Sequence, residues 1–104
     1  MPRPATTSRQ KAIARSLRVL APRIPLADFN AVLQIAIAGH LRHLPPSIAA
    51  SQALASQVRH AHTEYDRLLE EGYDRESARH FVLDAMNDVL ARWGASPIAP
   101  EESG

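Results

Sequence analysis

The run Arg-His-Ala-His-Thr-Glu-Tyr-Asp, from Arg59 to Asp66, together with Arg75 and Arg79 beyond a glycine, gathers the side chains best able to do chemistry in this chain. On one continuous helix Arg59, His62, Thr63 and Asp66 share a flank, with His60 and Tyr65 beside them, and could converge on a polar pocket. Arg75 and Arg79 lie four residues apart near the start of the next helix and would face back across the turn. A guanidinium pair at a helix N-terminus can grip phosphate or carboxylate in bidentate fashion. One reading is therefore a small-anion pocket built from Arg59, His60, His62, Thr63, Tyr65, Asp66, Arg75 and Arg79. The other is structural: Arg75 and Arg79 pair with Asp66, Glu70 or Glu71, while Arg59 and Tyr65 lock a helical hairpin. Catalysis would require a nucleophile or base beside an orienting partner, and the segment identifies none.

Five histidines raise the question of a metal, since neutral imidazole is a common transition-metal ligand. His60 and His62 stand about 200° apart around a helix and cannot chelate one ion. His40 and His43 could do so only with ligands from elsewhere, so no metal and no cofactor is expected. The chain has no cysteine, which removes disulfides, thiolate zinc sites and cysteine nucleophiles.

Positioning these groups falls to four helical segments. Thr7 and Gln10 form a capping-box pattern, and Ile13, Leu17, Leu20 and Ile24 follow on one stripe, which predicts a helix over about 8–20 ended by Pro22 and Pro25. A second helix runs from Leu26 to about Gly39 and is apolar nearly all round, which predicts a central position. After the turn His-Leu-Arg-His-Leu-Pro-Pro-Ser, a third helix is expected over 47–71, because Leu54, Val58, Ala61, Tyr65 and Leu68 recur at spacings of four and three. At that length it would span on the order of 37 Å, enough to project or dimerise. Gly72 suits a left-handed helix end, and Asp74 caps a fourth helix whose expected inward face is Ala78, Phe81, Val82, Ala85, Met86, Val89 and Trp93. Gly94 closes it.

The expected architecture is all-α: a small bundle of about four helices with a C-terminal antiparallel helical hairpin. Residues 8–93 would form one domain, best patterned over 26–93, between flexible tails at 1–7 and 94–104. A chain of 104 residues, 45% hydrophobic and 22% charged, has room for a single modest core and is ordinary globular material. No apolar run approaches the roughly 18 residues of a membrane span, so the expectation is a cytoplasmic protein without a membrane partner. Eleven arginines against one lysine point to a GC-rich, bacterial coding genome.

Net charge is +1, yet residues 1–59 carry eight basic side chains and one acid, whereas residues 60–104 carry four basic and ten acidic. Such asymmetry points either to internal docking of the halves or to a polyanionic partner. Nucleic acid would meet the first helix, through Arg9, Lys11, Arg15, Arg18 and Arg23, and without aromatic stacking the contact would be non-specific and salt-sensitive. The turn Gly72-Tyr73-Asp74 has helix-turn-helix length, but a recognition helix bearing Glu76, Asp84 and Asp88 would repel phosphate.

From Arg59 to Trp93 the chain resembles domain-of-unknown-function family 2293. The likeness is carried by Arg59, His60, Thr63, Tyr65, Asp66, Leu68, Leu69, Gly72, Arg75, Ala78, Arg79 and Trp93, over about a third of the chain. It implies a helical hairpin and no assigned activity. The leading expectation is a non-enzymatic protein-interaction module, homodimeric or bound to another protein, with non-specific nucleic-acid binding and small-anion binding as the alternatives.

Overall fold

Helix α1, Ser8–Leu20, begins at the predicted capping box: the Gln10 N–H donates to the Thr7 hydroxyl at 3.0 Å, and the Thr7 N–H donates to the Gln10 side chain at 3.5 Å. The structure, a computed structural model, describes residues 7–103, so the expected tail at 1–7 lies, apart from Thr7, outside the described residues. Ile13 and Leu17 have no exposed surface, Ala14 and Ala21 are buried with them, and Leu20 and Ile24 pack at the edge of the core. The stripe predicted for α1 is thus its buried face. Pro22 lies in the turn that follows, and Pro25 occupies the N-cap of α2, Leu26–Ala36. There its fixed φ suits the entry into a helix.

Among the described residues the fold is all-α, with no strand. Its centre is α3, Pro46–His62, which touches α1, α2, α4, Tyr65–Glu70, and α5, Arg75–Arg92. Ala49, Ala50 and Ala53 are fully inaccessible on α3, with Leu54 and Val58 continuing the buried face. Small side chains there let neighbouring backbones come close. The expectation that α2 would be central is corrected: Val32, Leu33 and Ala36 face the core, but Leu26 is 74% exposed. An apolar circumference does not require burial on all sides when only one neighbour pair reaches it. Helix α2 also ends at Ala36, and a 3₁₀ turn at Gly39–Leu41 carries the chain on.

The single helix expected over 47–71 is broken. Thr63 is extended, with φ −135° and ψ 173°. Its hydroxyl donates to the Arg59 carbonyl and accepts from the Tyr65 N–H at 3.2 Å, so one side chain terminates α3 and starts α4. A β-branched residue with a hydroxyl offers the backbone this alternative to continued helix. Leu54, Val58 and Tyr65 remain buried across the break and Leu68 half-buried, whereas Ala61 faces solvent. The helix of 17 residues that remains, about 25 Å long, no longer supplies a projecting arm.

Two left-handed glycines then shape the C-terminal half. At Gly72, φ 100°, the Tyr73 N–H returns to the Leu68 carbonyl and the Gly72 N–H to that of Leu69, both at 3.1 Å. This paired closure satisfies carbonyls that a helix end would leave open. Asp74 caps α5, Arg75–Arg92, accepting from the Ser77 N–H at 2.7 Å, and that bond holds its carboxyl below the ordinary range. Helix α5 folds back onto α4 and α3. Its buried residues are Ala78, Val82, Leu83, Met86, Val89 and Leu90, with Trp93 just beyond; Phe81, expected inside, is 61% exposed, and Ala85 is exposed too. The central stripe is as predicted and its flank lies on the other side, toward Leu83 and Leu90.

Gly94, φ 77°, repeats the same closure, with Ala95 bonded back to Leu90 at 2.8 Å and Gly94 to Ala91 at 3.1 Å. The loop after α1 is clasped to this helix end: the Arg23 N–H donates to the Trp93 carbonyl at 2.9 Å, and its guanidinium reaches the Arg92 and Ala91 carbonyls at 3.2 and 3.3 Å. A cation at a helix C-terminus is also favoured by the peptide dipoles. The segment after Gly94, expected to be a mobile tail, exchanges two hydrogen bonds with one side chain. Ile98 N–H donates to Asn87 Oδ1 at 2.8 Å and Asn87 Nδ2 to the Ile98 carbonyl at 3.1 Å, ahead of a short helix α6, Pro100–Ser103.

Candidate functional site

Breaking the helix at Thr63 scatters the side chains expected to converge. His60 Nδ1 lies 2.6 Å from Asp66 Oδ1 on the outer surface, and the His60 ring meets the Tyr65 ring edge to face at 5.3 Å. His62 turns elsewhere: its Nε2 is 2.7 Å from Asp28 Oδ1, and its ring stands edge-on to Trp93 at 5.3 Å. Asp28, in the first turn of α2, also accepts from Gln57 Nε2 at 3.0 Å, so one carboxylate ties α2 to α3 twice. Thr63 is spent on the break, and Tyr65 is buried as a wedge with the Arg59 guanidinium 5.6 Å from its ring centre. Asp66 and Glu71 are engaged by His60 and Arg67, the latter also holding Glu64 at 2.8 Å. These are bracing contacts.

What the fold does bring together is Arg59, from α3, and Arg79, from α5. Both line a cleft of about 430 Å³ whose other walls are Ile35, His40, Leu41, Gln52, Ala55 and Ser56. Among the described residues, none of those lining it is acidic. Burial pushes the Arg59 guanidinium below its ordinary value, and the neighbouring Arg79 charge pushes the same way, opposed by Tyr65. The buried Nε of Arg59 has no hydrogen-bond partner among the described residues. Two like charges held near one another in a partly desolvated cleft disfavour each other. The Leu41 carbonyl, which would repel an anion, accepts from Arg9 Nη2 at 3.0 Å. Arg75, exposed at the start of α5, is not part of the cleft.

His40, Gln52 and Ser56 were missed as site residues in the sequence. Gln52, Ser56 and Arg59 fall at spacings of four and three, a polar stripe alongside the apolar seam of α3, which was the available signal. His40, considered with His43 as a chelating pair, serves the cleft, while His43 Nε2 faces Arg42 Nε at 3.4 Å. Among the described residues no three of His, Cys, Asp or Glu gather as a metal cage.

The five basic residues expected to meet nucleic acid are differently employed. Arg9 holds the Leu41 carbonyl, Arg18 stacks 5.2 Å over Phe29, and Arg23 clasps the end of α5, leaving Lys11 and Arg15 exposed on α1. No helix among the described residues is long and apolar enough to cross a membrane.

The family model described as an uncharacterized conserved protein, DUF2293, matches residues 16–94, from the middle of α1 to the glycine that closes α5. The chain belongs to that family. The match is wider than the likeness over 59–93 and takes in every residue lining the cleft, whereas Arg9, Lys11 and Arg15 precede it. No curated protein and no solved structure matches the chain.

Proposed function

We propose that this DUF2293 protein is a non-catalytic binding module that holds an anionic group between Arg59 and Arg79. The observation that carries the reading is the pair of neighbouring guanidinium groups in a cleft whose lining, among the described residues, holds no acid. Guanidinium forks recognise oxyanions by parallel hydrogen bonds, and the partly desolvated setting strengthens them. The test is thermal melting across a panel of phosphates, sulfate and carboxylates. A ligand at about 100 times its dissociation constant stabilises by roughly 2.7 kcal/mol, and Arg59→Gln should abolish that gain. Equal stabilisation of parent and variant by every anion would end the proposal.

The exposed apolar side chains Val19, Leu26 and Phe81, at 81%, 74% and 61%, favour a second reading, that of a protein-interaction module. It requires a sedimentation mass above one chain or a melting temperature that falls on dilution.

A further inference from the structure

We propose that the outer face of α1 in one copy of this chain docks on the outer face of α5 in a second copy, with Phe81 as the anchor, an inference that rests on the protein-interaction reading above. Val19 on α1 and Phe81 on α5 are the two ends of that contact, on helices that both pack against α3. A lone exposed apolar side chain would be ordinary, but each of these stands in surroundings that fit the other.

Shape makes the first argument. Val19 borders a shallow depression of about 400 Å³ lined also by Ala12, Arg15, Ser16, Leu20 and Ser47. Aromatic anchors seated in such depressions carry much of the energy of a protein contact. The Phe81 ring stands out from α5 and is steadied edge to face by Tyr73 at 5.5 Å and by His80 at 6.1 Å. A ring held in place before contact loses less freedom on docking.

Charge makes the second. Lys11 and Arg15 are exposed on α1 and Asp84 and Asp88 on α5, and among the described residues none of the four has an ion-pair partner. At these positions the asymmetry between the basic and acidic halves is left unanswered within the chain. A second copy supplies the opposite sign.

Register makes the third. Arg15 and Lys11 lie about 6 and 12 Å from Val19 along α1, and Asp84 and Asp88 about 4.5 and 10.5 Å from Phe81 along α5. With the two helices antiparallel and Phe81 beside Val19, Arg15 therefore meets Asp84 and Lys11 meets Asp88. Arg92, exposed on the same flank of α5, falls about 16 Å along, past both bases. The two faces differ, so the contact is heterologous and closes only as a reciprocal pair or a ring.

The experiment is sedimentation of the full chain from about 1 μM to about 1 mM, with Phe81→Ser and Val19→Glu as separate variants and as an equimolar mixture. The parent should exceed the mass of one chain, and its mean mass should fall as salt is raised. Each variant alone should associate about tenfold or more weakly than the parent. The mixture should regain pairing, because the intact α1 face of Phe81→Ser meets the intact α5 face of Val19→Glu. Arg15→Glu and Asp84→Arg carry the same test through charge: each alone weakens association, and the double variant restores it. A variant at residue 19 or 81 that still associates like the parent would put the contact between two like faces or elsewhere, overturning this inference and leaving the interaction reading standing. A mixture that pairs no better than its components, or a charge-swapped double variant that stays weak, would overturn it too. A parent of one-chain mass at every concentration would end both.

Discussion

From Ala49 to Leu54 helix α3 is held by shape, with Ala49, Ala50 and Ala53 packed against neighbouring helices without exposed surface, whereas from Gln57 to Thr63 its end is held by individual polar partners. The first region gains from many weak contacts that any correctly sized side chains could supply. The second depends on a few directional bonds, each with a named donor and acceptor. Tolerance to substitution should differ accordingly, by volume in one region and by atom type in the other.

The largest effect is expected where volume decides. Ala53→Leu inserts three carbons into a site with no free surface and should cost about 3 kcal/mol, read as a lower denaturant midpoint with little change in slope. A loss below about 0.5 kcal/mol would mean the seam is looser than its burial implies. Asp28→Ala comes next. It leaves Gln57 and His62 without their shared acceptor at a carboxylate whose side chain is only 13% exposed, and should cost about 2 kcal/mol in the same measurement. Stability unchanged in this variant would assign the α2–α3 seam to apolar packing alone. The smallest is Thr63→Ala, about 1 kcal/mol, because it removes a side chain that ends one helix and starts another while exposing little apolar surface. Should it instead raise the helical signal and the stability, the break would be a strain imposed on α3 rather than a stop encoded at Thr63.

Helix ends marked by local chemistry were legible before any coordinates: Thr7 with Gln10, Pro22, Gly72, Asp74 and Gly94 all stand where the sequence placed them. The break at Thr63 was not, because Leu54, Val58, Tyr65 and Leu68 keep helical spacing straight through it. The signal was present in Thr63-Glu64-Tyr65-Asp66, which has the form of a helix start but sits inside a periodic run. Phe81 and Leu83 show a second limit. With Ala78, Val82, Met86 and Val89 inward, either flank of α5 can be covered, and only the positions of α3 and α4 decide which. The cleft fared likewise: Arg59 and Arg79 were singled out, but His40 reaches it from a 3₁₀ turn that no spacing rule connects to them.

The Arg23 clasp joins residues 68 and 69 positions apart, the longest separations among the side-chain hydrogen bonds described. Closing so wide a loop sacrifices chain entropy before any bond rewards it, while contacts within α1, α2 and α3 need far shorter excursions. The clasp therefore belongs to the late side of the folding barrier, and its strength governs how long the native state persists more than how fast it is reached.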